Sequence, residues 1–520
     1  MSSSRWIAKA DAACRLGPRP VAWALLGRGP WARLWLRWRL RDGEAPDPRD
    51  PMAGADLRPL WEANRWAELP RLAMAGGAGA IPGWLEAWFA AHPPYRGPLW
   101  ACGQEAGLRA LHLALACALG GIRPPGAVMR RLARRIGANP AYALAQDNNH
   151  PISEAAGLLA CGLALGDAAL VRRGARRLDA AIARLVAEDG GFAQASPAYH
   201  RMLLDVVACA QWLRGRAGGP AAAPLTLARM AAATRWLHRL TCPVTGLLPR
   251  IGHQDGSHVA DLSGGGPDDA RGSLERAARI FCAASAGWPE DAGCAALGLP
   301  IPEAVLGPEA DWRGEGLLGR RFGPFRAILR TGPLRFRPHH ADLLHLDLWR
   351  DGVNLLRDGG TGAYNPTERD WLAYFQGAAA HNTLAFDNED QMPRLGPFLF
   401  HHWPETGALP EGGWWRDHRG RSHVRELRAT PGGLVVEDRI AGPFRQAVLR
   451  WRLASGDWRR TADGVEGPLM RLGVTADAPF SLVLAEGRES LAYGAASPLP
   501  VLEVRLSVTT SHITTKIDKN

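Results

Sequence analysis

The spacing of apolar residues changes a little past the middle of this 520-residue chain, and this change constrains the fold more than any other feature. From about Trp61 to Ala295 apolar residues recur at spacings of three and four, the period of an amphipathic helix. After about Leu306 they form short runs, several of which alternate with polar residues, as in half-buried strands. The two patterns predict a helical N-terminal part and a β-rich C-terminal part.

In the first part, short Gly, Pro and Asp breakers separate the helical segments, so consecutive helices are expected to pack as antiparallel hairpins. An array of such hairpins commonly closes into a toroid. The predicted helices cover residues 105–119, 152–165, 168–187, 198–214, 225–240 and 268–284.

In the second part, two turn signals connect predicted strands. Arg350-Asp351-Gly352 separates two runs, and Thr430-Pro431-Gly432-Gly433 separates two more, so both are read as hairpin turns. The pattern predicts an antiparallel β-sandwich. The domain boundary is expected in the Gly- and Pro-containing stretch 298–316, which gives a helical domain of residues 1–310 and a β-domain of residues 311–520. The predicted strands include residues 327–330, 344–349, 353–356, 433–437 and 480–484.

Composition narrows the class of protein. With 47% hydrophobic and 22% charged residues the chain is typical of a soluble globular protein. The 62 basic and 51 acidic residues give a formal charge of +11, which would speed encounter with a polyanion such as a nucleic acid or an acidic polysaccharide. Because no basic run or recognition motif accompanies this charge, we expect no nucleic-acid partner.

Cysteine usage and the N-terminus bear on the compartment. Eight Cys occur without a Cys-x-x-Cys pair, several inside apolar helical patterns, which favours buried free thiols and a reducing compartment. Charged residues interrupt the N-terminal apolar run, and no stretch reaches the roughly 18 apolar residues that span a bilayer. These observations predict a cytoplasmic protein without a transmembrane segment. The last dozen residues differ in composition from the rest, and no function is assigned to them.

Three clusters carry residues suited to chemistry. The first, residues 146–154, places Asn149 and His150 beside a predicted helix start, where donors converge on an anionic group. An ordinary helix cap with a solvent-facing His is the alternative interpretation.

The second cluster, residues 188–201, is a Gly-Gly turn followed by a helix start that carries Tyr199. A Tyr in such a place is often an aromatic anchor. A phenol can also act as a general acid or base when its neighbours adjust its pKa.

The third cluster lies in the β-rich part. His340, Asp358 and His381 end three predicted runs, and a His-Asp-His set is typical of a zinc site. The alternative is that Asp358-Gly359-Gly360 is only a turn and His339-His340 only a polar strand edge.

Taken in order, these clusters resemble the heparinase II/III-type polysaccharide lyases, including related alginate lyases. The residues that carry the resemblance are Asn149-His150, Gly190-Gly191, Ser196 to His200, His340-Ala341-Asp342, Asp358-Gly359 and His381-Asn382-Thr383. The resemblance implies an incomplete α/α toroid followed by an antiparallel β-sandwich, with the substrate cleft between them. It also leaves a periplasmic location open.

The implied reaction is β-elimination at a uronic acid of an acidic glycan. By the resemblance, Asn149 with His150 neutralises the substrate carboxylate, His150 being also a base for one epimer, and Tyr199 is the acid and, in some members, the base. A divalent metal, with zinc the first choice, would be held structurally by His340, Asp358 and His381; no organic cofactor is implied. Pro338 stands where members often carry a catalytic His. His339, one position later, is the remaining candidate for that catalytic role, although it would point to the opposite face if the segment is a strand.

Arg and aromatic residues are the expected substrate contacts, because Arg pairs with carboxylate or sulfate and aromatic rings stack on sugars. Two alternatives remain open: a glycoside hydrolase, which needs two carboxylates and could draw on Glu154, Glu188 and Asp189, and a non-catalytic protein that binds acidic glycans. The glycan and the oligomeric state are not specified by the sequence. The candidate substrate-binding residues are Arg201, Arg250, His253, Arg337, Trp371 and Tyr374.

Overall fold

The first part of the chain is helical in the computed structural model, which describes residues 3–40, 55–334 and 336–520. Within the described residues up to 310, the helices are α1 (Ser3–Leu16), α2 (Pro18–Arg28), α3 (Pro30–Leu40), α4 (Arg58–Ala63), α5 (Glu68–Met74), α6 (Ile81–Ala91), α7 (Gly103–Leu119), α8 (Gly126–Ala138), α9 (Pro140–Leu144), α10 (Asn149–Leu165), α11 (Ala168–Leu185), α12 (Pro197–Arg216), α13 (Pro224–Leu240), α14 (Arg271–Ala277) and α15 (Ala292–Ala296).

The predicted helices all form, with one local difference, and three further helices at the start of the chain were not predicted. The last one, expected over 268–284, is α14 followed by a single π-turn at Ala278–Cys282, which Ala283 ends in a left-handed conformation with φ of 48°. The pattern did not predict α1, α2 and α3. In α3 the apolar residues occupy two faces, because Leu36 and Leu40 are buried while Trp35 and Trp38 are exposed, so no single stripe stands out.

Helix α10 lies at the centre of the helical part. It packs against α7, α8, α11 and α12, and nearly all of its residues from Asn149 to Gly162 are buried. Gly157 of α10 meets Gly107 of α7 so closely that a Cβ on Gly157 would lie 2.4 Å from the Cα of Gly107. This close backbone contact seats the middle of α10 on α7, and two candidate site residues lie at the N-terminal end of the same helix.

The second part is built from antiparallel sheets, with one short helix, α16 (Trp371–Gln376). The strands are β1 (Trp312–Gly314), β2 (Gly316–Phe322), β3 (Phe325–Gly332), β4 (Leu346–Arg350), β5 (Val353–Leu356), β6 (Leu384–Phe386), β7 (Arg394–Gly396), β8 (Leu399–Phe400), β9 (Glu405–Leu409), β10 (Gly412–Arg416), β11 (Ser422–Thr430), β12 (Gly433–Ala441), β13 (Ala447–Arg452), β14 (Arg459–Arg460), β15 (Gly464–Glu466), β16 (Met470–Ala476), β17 (Phe480–Glu489), β18 (Ser497–Leu506) and β19 (His512–Lys519).

The strands form a five-stranded sheet in the order β1-β2-β3-β4-β5, an eight-stranded sheet in the order β14-β15-β16-β19-β12-β11-β10-β9, a four-stranded sheet in the order β17-β18-β13-β6, and the pair β7-β8. Side chains from the three larger sheets share one apolar core. Both predicted hairpin turns connect paired strands, β4 to β5 and β11 to β12. The predicted helical part followed by an antiparallel β-sandwich is confirmed, and the antiparallel helices are consistent with an incomplete toroid.

The last dozen residues, which the sequence left without a role, form a structural strand. β19 pairs with both β12 and β16 in the interior of the eight-stranded sheet. Ile513 and Ile517 are fully buried in the β core, so these residues complete the core.

The eight cysteines are all free thiols, and six of them are buried, as the sequence predicted. In the described parts of the chain, no helix combines the length and apolar character needed to cross a bilayer.

Candidate active site between the helical and β-rich parts

Tyr199 lies in the first turn of α12, and its position is fixed by the residue that caps the helix. Ser196 Oγ accepts a hydrogen bond from the backbone N–H of Tyr199 at 3.2 Å. The same hydroxyl donates to the carbonyl of His253 at 2.5 Å. The cap therefore ties the start of α12 to the loop that carries His253 and Asp255.

The Tyr199 hydroxyl lies inside a buried group of four residues, which we call the tyrosine cluster: Arg58, Tyr199, Asp255 and Tyr364. It donates to Asp255 Oδ2 at 2.6 Å and lies 3.0 Å from the Tyr364 hydroxyl. Arg58 Nε donates to the same carboxylate at 2.6 Å. Helical and β-rich parts thus meet at Tyr199.

The electrostatics of the tyrosine cluster keep the phenol protonated. Burial, and then the neighbouring Asp255 carboxylate, raise the pKa of Tyr199 well above its ordinary value. Burial opposes ionisation of Asp255, but Arg58 outweighs it and holds the pKa of that carboxyl below its usual range. The arrangement provides a proton donor.

Asn149 and His150 begin α10, with Asn148 as the capping residue. Asn149 Nδ2 donates to Gln104 Oε1 at 2.9 Å and lies 3.5 Å from Met202 Sδ, which is on α12 one turn from Tyr199. His150 Nδ1 is buried and has no hydrogen-bond partner among the described residues. Desolvation lowers the pKa of His150 to about 3, so its ring is neutral.

His339 and His340 both contact His253 of the helical part. The rings of His253 and His339 stack at 4.2 Å and 15°, and the His340 ring lies 5.2 Å from His253. The strand on which His339 would point to the opposite face does not form: residues 336–345 are a loop, so strand alternation does not apply to them. His253 also packs against Tyr364 at 5.0 Å, which joins the imidazoles to the tyrosine cluster.

The predicted metal ligands form a second buried group, which we call the histidine cluster: His340, Asp358 and His381. Their ligand atoms all lie within 4.8 Å of one another. His381 Nδ1 lies 2.9 Å from Asp358 Oδ2. Both ring nitrogens of His340, and Nε2 of His381, are buried without a partner among the described residues. These orphaned nitrogens and the adjacent carboxylate fit a divalent cation with a zinc-like ligand preference.

Of the predicted substrate-binding residues, Arg337 and Arg250 lie between the two parts. Arg337 Nη2 donates to Gln146 Oε1 at 2.9 Å, and burial lowers the pKa of Arg337 to about 10. Arg250 is half-buried, and its Nε has no partner among the described residues. His253, also on this list, lies at the centre of the imidazole contacts.

The other three make their contacts elsewhere. Arg201 is buried and donates to backbone carbonyls, the shortest bond being 2.6 Å to Pro267. Tyr374 accepts from Arg452 Nη1 at 2.9 Å and from the backbone of Arg488 at 2.8 Å. Trp371, on the same short helix, packs edge to face on Phe375. In this structure all three hold the protein together.

Sequence reasoning missed Arg58, Tyr364 and His345. Arg58 and Tyr364 belong to the tyrosine cluster, and His345 Nε2 lies 3.8 Å from Asp358 Oδ2 beside the histidine cluster. Arg58 meets Asp255 across 197 positions and Tyr364 meets Tyr199 across 165, so no local pattern links them. Only His345, which follows the His340-Ala341-Asp342 segment closely, carried a usable signal.

Comparison with known proteins agrees with this architecture. Residues 312–491 match the family model described as heparinase II/III-like, C-terminal. No curated protein sequence matches the chain.

Solved structures match over most of the chain. A crystal structure of heparinase III is similar with a TM-score of 0.67 and 14% identity, covering 87% of this chain and 75% of that one. Another heparinase III structure gives 0.60 and 14%, covering 94% and 84%. Heparan sulfate lyase HepC from Pedobacter heparinus gives 0.56 and 17%, covering 88% and 76%. The chain therefore carries a heparinase II/III-like C-terminal domain at residues 312–491 and, over most of its length, has the fold of heparinase III.

Proposed function

We propose that this chain is a polysaccharide lyase that cleaves a uronic-acid-containing glycan by β-elimination, in a cleft between a helical domain of residues 1–310 and a β-domain of residues 311–520. The observation that carries the proposal is the protonated Tyr199 phenol, in contact with Tyr364 of the β-rich part and close to neutral imidazoles. The shared fold with heparinase III and with a heparan sulfate lyase supports the substrate class.

Elimination needs three services from the protein: neutralisation of the uronate carboxylate, removal of the C5 proton and protonation of the departing O4. Asn149 and His150 supply the first, since an amide and the N-terminus of α10 favour a negative group. Removal of the C5 proton places negative charge on the uronate carboxylate, which becomes enolate-like. Each hydrogen-bond donor aimed at this charge typically contributes about 10²- to 10³-fold to kcat.

Tyr199 protonates O4. Its raised pKa means that it holds a proton, and Asp255 orients the hydroxyl. After the transfer, Arg58 beside Asp255 offsets part of the negative charge left on the phenol.

The C5 proton goes to a neutral imidazole. His150 Nδ1 has no hydrogen-bond partner in the described part of the chain. A bound uronate beside it would raise the pKa of His150, because an opposite charge stabilises the imidazolium. His339, stacked on His253, is the second candidate base.

His340, Asp358 and His381 would hold the divalent metal. When bound, the metal would supply a structural crosslink between the loop that carries His339 and His340, the loop after β5 that carries Asp358, and the loop before β6 that carries His381. No step of the elimination passes through it.

The three carboxylates considered for a glycoside hydrolase do not form a catalytic pair. Glu154 is fully buried in α10. Asp189 accepts hydrogen bonds from the backbone N–H groups of Gly191 and Glu315, so its role is to hold a turn. Glu188 is the one exposed carboxylate of the three, and it lies 3.4 Å from Arg229. These residues therefore supply no pair of free carboxylates to flank a glycosidic bond.

The test is a spectrophotometric screen over alginate, heparan sulfate, hyaluronan and bacterial exopolysaccharides for the near-ultraviolet absorbance of an unsaturated uronate. We expect turnover on at least one glycan, and a loss of at least about 10²-fold in kcat with unchanged binding in Tyr199→Phe. Tyr95→Phe is the matched control, because this buried hydroxyl donates to the Arg131 carbonyl away from the site. Cleavage without the absorbance would indicate hydrolysis, and an unchanged rate in Tyr199→Phe would remove Tyr199 from the mechanism.

A further inference from the structure

A second group of metal-ligating side chains lies where the first helix meets the β-rich part. Asp11 of α1 approaches His401 and His402, which directly follow β8. One potential ligand atom from each residue lies within 4.8 Å of the other two. These residues are separate from the histidine cluster and have no role in the proposed elimination.

The backbone at His402 brings two consecutive imidazoles to the same side. In an extended strand, neighbouring side chains point to opposite faces. His402 instead adopts φ of 50°, a left-handed conformation that is uncommon for a residue other than glycine. As a result the rings of His401 and His402 lie only 4.6 Å apart.

Asp11 holds this conformation from the opposite element. Its Oδ2 accepts the backbone N–H of His402 at 2.6 Å, and its Oδ1 lies 3.6 Å from His402 Nδ1. Arg15, one turn further along α1, lies 3.6 Å from the same carboxylate and is the nearby cation that competes for it.

The remaining surroundings favour a ligand. His401 Nδ1 is buried and has no hydrogen-bond partner among the described residues. The ring of His418, from the turn between β10 and β11, stacks on His402 at 4.6 Å and 22°, so it fixes the orientation of that ring. A buried imidazole nitrogen without a partner, in a group of three imidazoles and a carboxylate, calls for a cation.

We propose that Asp11, His401 and His402 bind a divalent transition metal of the zinc class, which clamps α1 onto the β-rich part. Two imidazoles and one carboxylate form the nitrogen–oxygen ligand set that zinc accepts and that calcium and magnesium do not prefer. Solvent completes the coordination, because all three residues are partly exposed.

The clamp would act on the packing beneath it. Leu16 at the end of α1 packs against a small apolar group that contains Phe400 and Ala341. Ala341 follows His340 of the histidine cluster, so fixing α1 supports the loop that borders the candidate active site. The metal joins residues 391 positions apart in the chain.

The first experiment measures zinc stoichiometry on the full chain after removal of metal with a chelator. We expect the triple variant Asp11→Asn, His401→Gln, His402→Gln to bind one equivalent fewer than the wild type. Loss of an outer-shell partner of a metal ligand typically weakens metal affinity by about 10- to 100-fold. The single His402→Gln change removes a ligand itself, so we expect the zinc affinity of that site to fall by at least this much. His512→Gln is the matched control, because His512 is an exposed imidazole beside a single carboxylate, Glu437, and should leave the stoichiometry unchanged.

The second experiment tests the clamp itself by hydrogen exchange. Zinc should slow amide exchange in residues 3–16 of the wild type and leave it unchanged in the triple variant. Equal stoichiometry in the wild type and the triple variant would overturn the site, and equal exchange with and without zinc would overturn the clamp. Neither readout depends on lyase activity.

Discussion

The tyrosine cluster and the histidine cluster lie on either side of His253, yet their polar atoms are satisfied to different degrees. In the tyrosine cluster, both carboxylate oxygens of Asp255 and both phenol oxygens have partners within the chain. In the histidine cluster, three imidazole nitrogens are buried without a partner among the described residues. In the tyrosine cluster the unpaired atom is Arg58 Nη1, one nitrogen of a guanidinium whose other two nitrogens have partners among the described residues. Because native proteins rarely leave buried polar atoms unpaired, the three unpaired imidazole nitrogens of the histidine cluster indicate an added group.

The largest expected effect comes from removing the cation of the tyrosine cluster. Arg58→Ala leaves the buried Asp255 carboxylate without its cation, so we expect a loss of about 3–5 kcal/mol in the free energy of unfolding, measured by denaturant titration. The double variant Arg58→Ala, Asp255→Asn should recover part of this loss, because no uncompensated charge remains. If the double variant is as unstable as the single one, charge pairing is not what holds the cluster.

A third buried carboxylate sharpens the comparison. Glu154 lacks a hydrogen-bond partner among the described residues; Arg177 lies 3.8 Å away and Arg135 acts at longer range, and burial raises the pKa of Glu154 to about 7. The pKa of Glu154 in the folded state lies above the ordinary 4.5, so below about pH 4.5 the carboxyl is neutral in both states and does not change the free energy of unfolding. As the pH rises from 4.5 towards 7, the carboxyl ionises more readily in the unfolded state, and the free energy of unfolding falls.

Glu154→Gln tests this directly. The wild type should lose about 3 kcal/mol more than the variant between pH 4.5 and 7.5, the equivalent of the shift at about 1.4 kcal/mol per unit. Unfolding titrations at several pH values provide the measurement. Parallel pH profiles for the two proteins would contradict it.

Zinc should stabilise the histidine cluster and leave the tyrosine cluster unaffected. The experiment uses a variant in which the proposed metal site at Asp11, His401 and His402 is disabled by Asp11→Asn and His402→Gln. At 100 times its Kd, zinc should add about 2.7 kcal/mol to the free energy of unfolding of this variant. His340→Ala in that background should abolish the increment. An equal increment with and without His340 would show that the metal binds elsewhere.

The smallest expected effect comes from removing one hydroxyl oxygen from the tyrosine cluster. Tyr364→Phe loses the 3.0 Å contact with Tyr199 while keeping the ring packed on His253, so we expect a cost of about 1 kcal/mol. Asp255 still orients the Tyr199 hydroxyl, so kcat should fall less than 10-fold. A loss as large as that of Tyr199→Phe would make Tyr364 part of the proton transfer.

The sequence predicted those features that local patterns control. Pro151 suits the first turn of α10, and the Gly190-Gly191 turn precedes the start of α12, so Asn149 and Tyr199 were expected at helix starts. The loop that carries His339 could not be distinguished from a strand by its sequence, so the direction of His339 could not be predicted. Arg58 and Tyr364 reach the site through long-range packing that no single segment encodes.

Strand β19 has a consequence for how the β-rich part is made. It lies between β12 and β16, so a nascent chain that lacks residues 512–519 carries two separate ribbons, each with an unpaired edge. The helical part, whose buried apolar core uses residues up to Leu297, can condense on the ribosome well before that. The eight-stranded sheet forms only once Ile513 and Ile517 have been synthesised. Until β19 pairs with both ribbons, their edges stay open to aggregation.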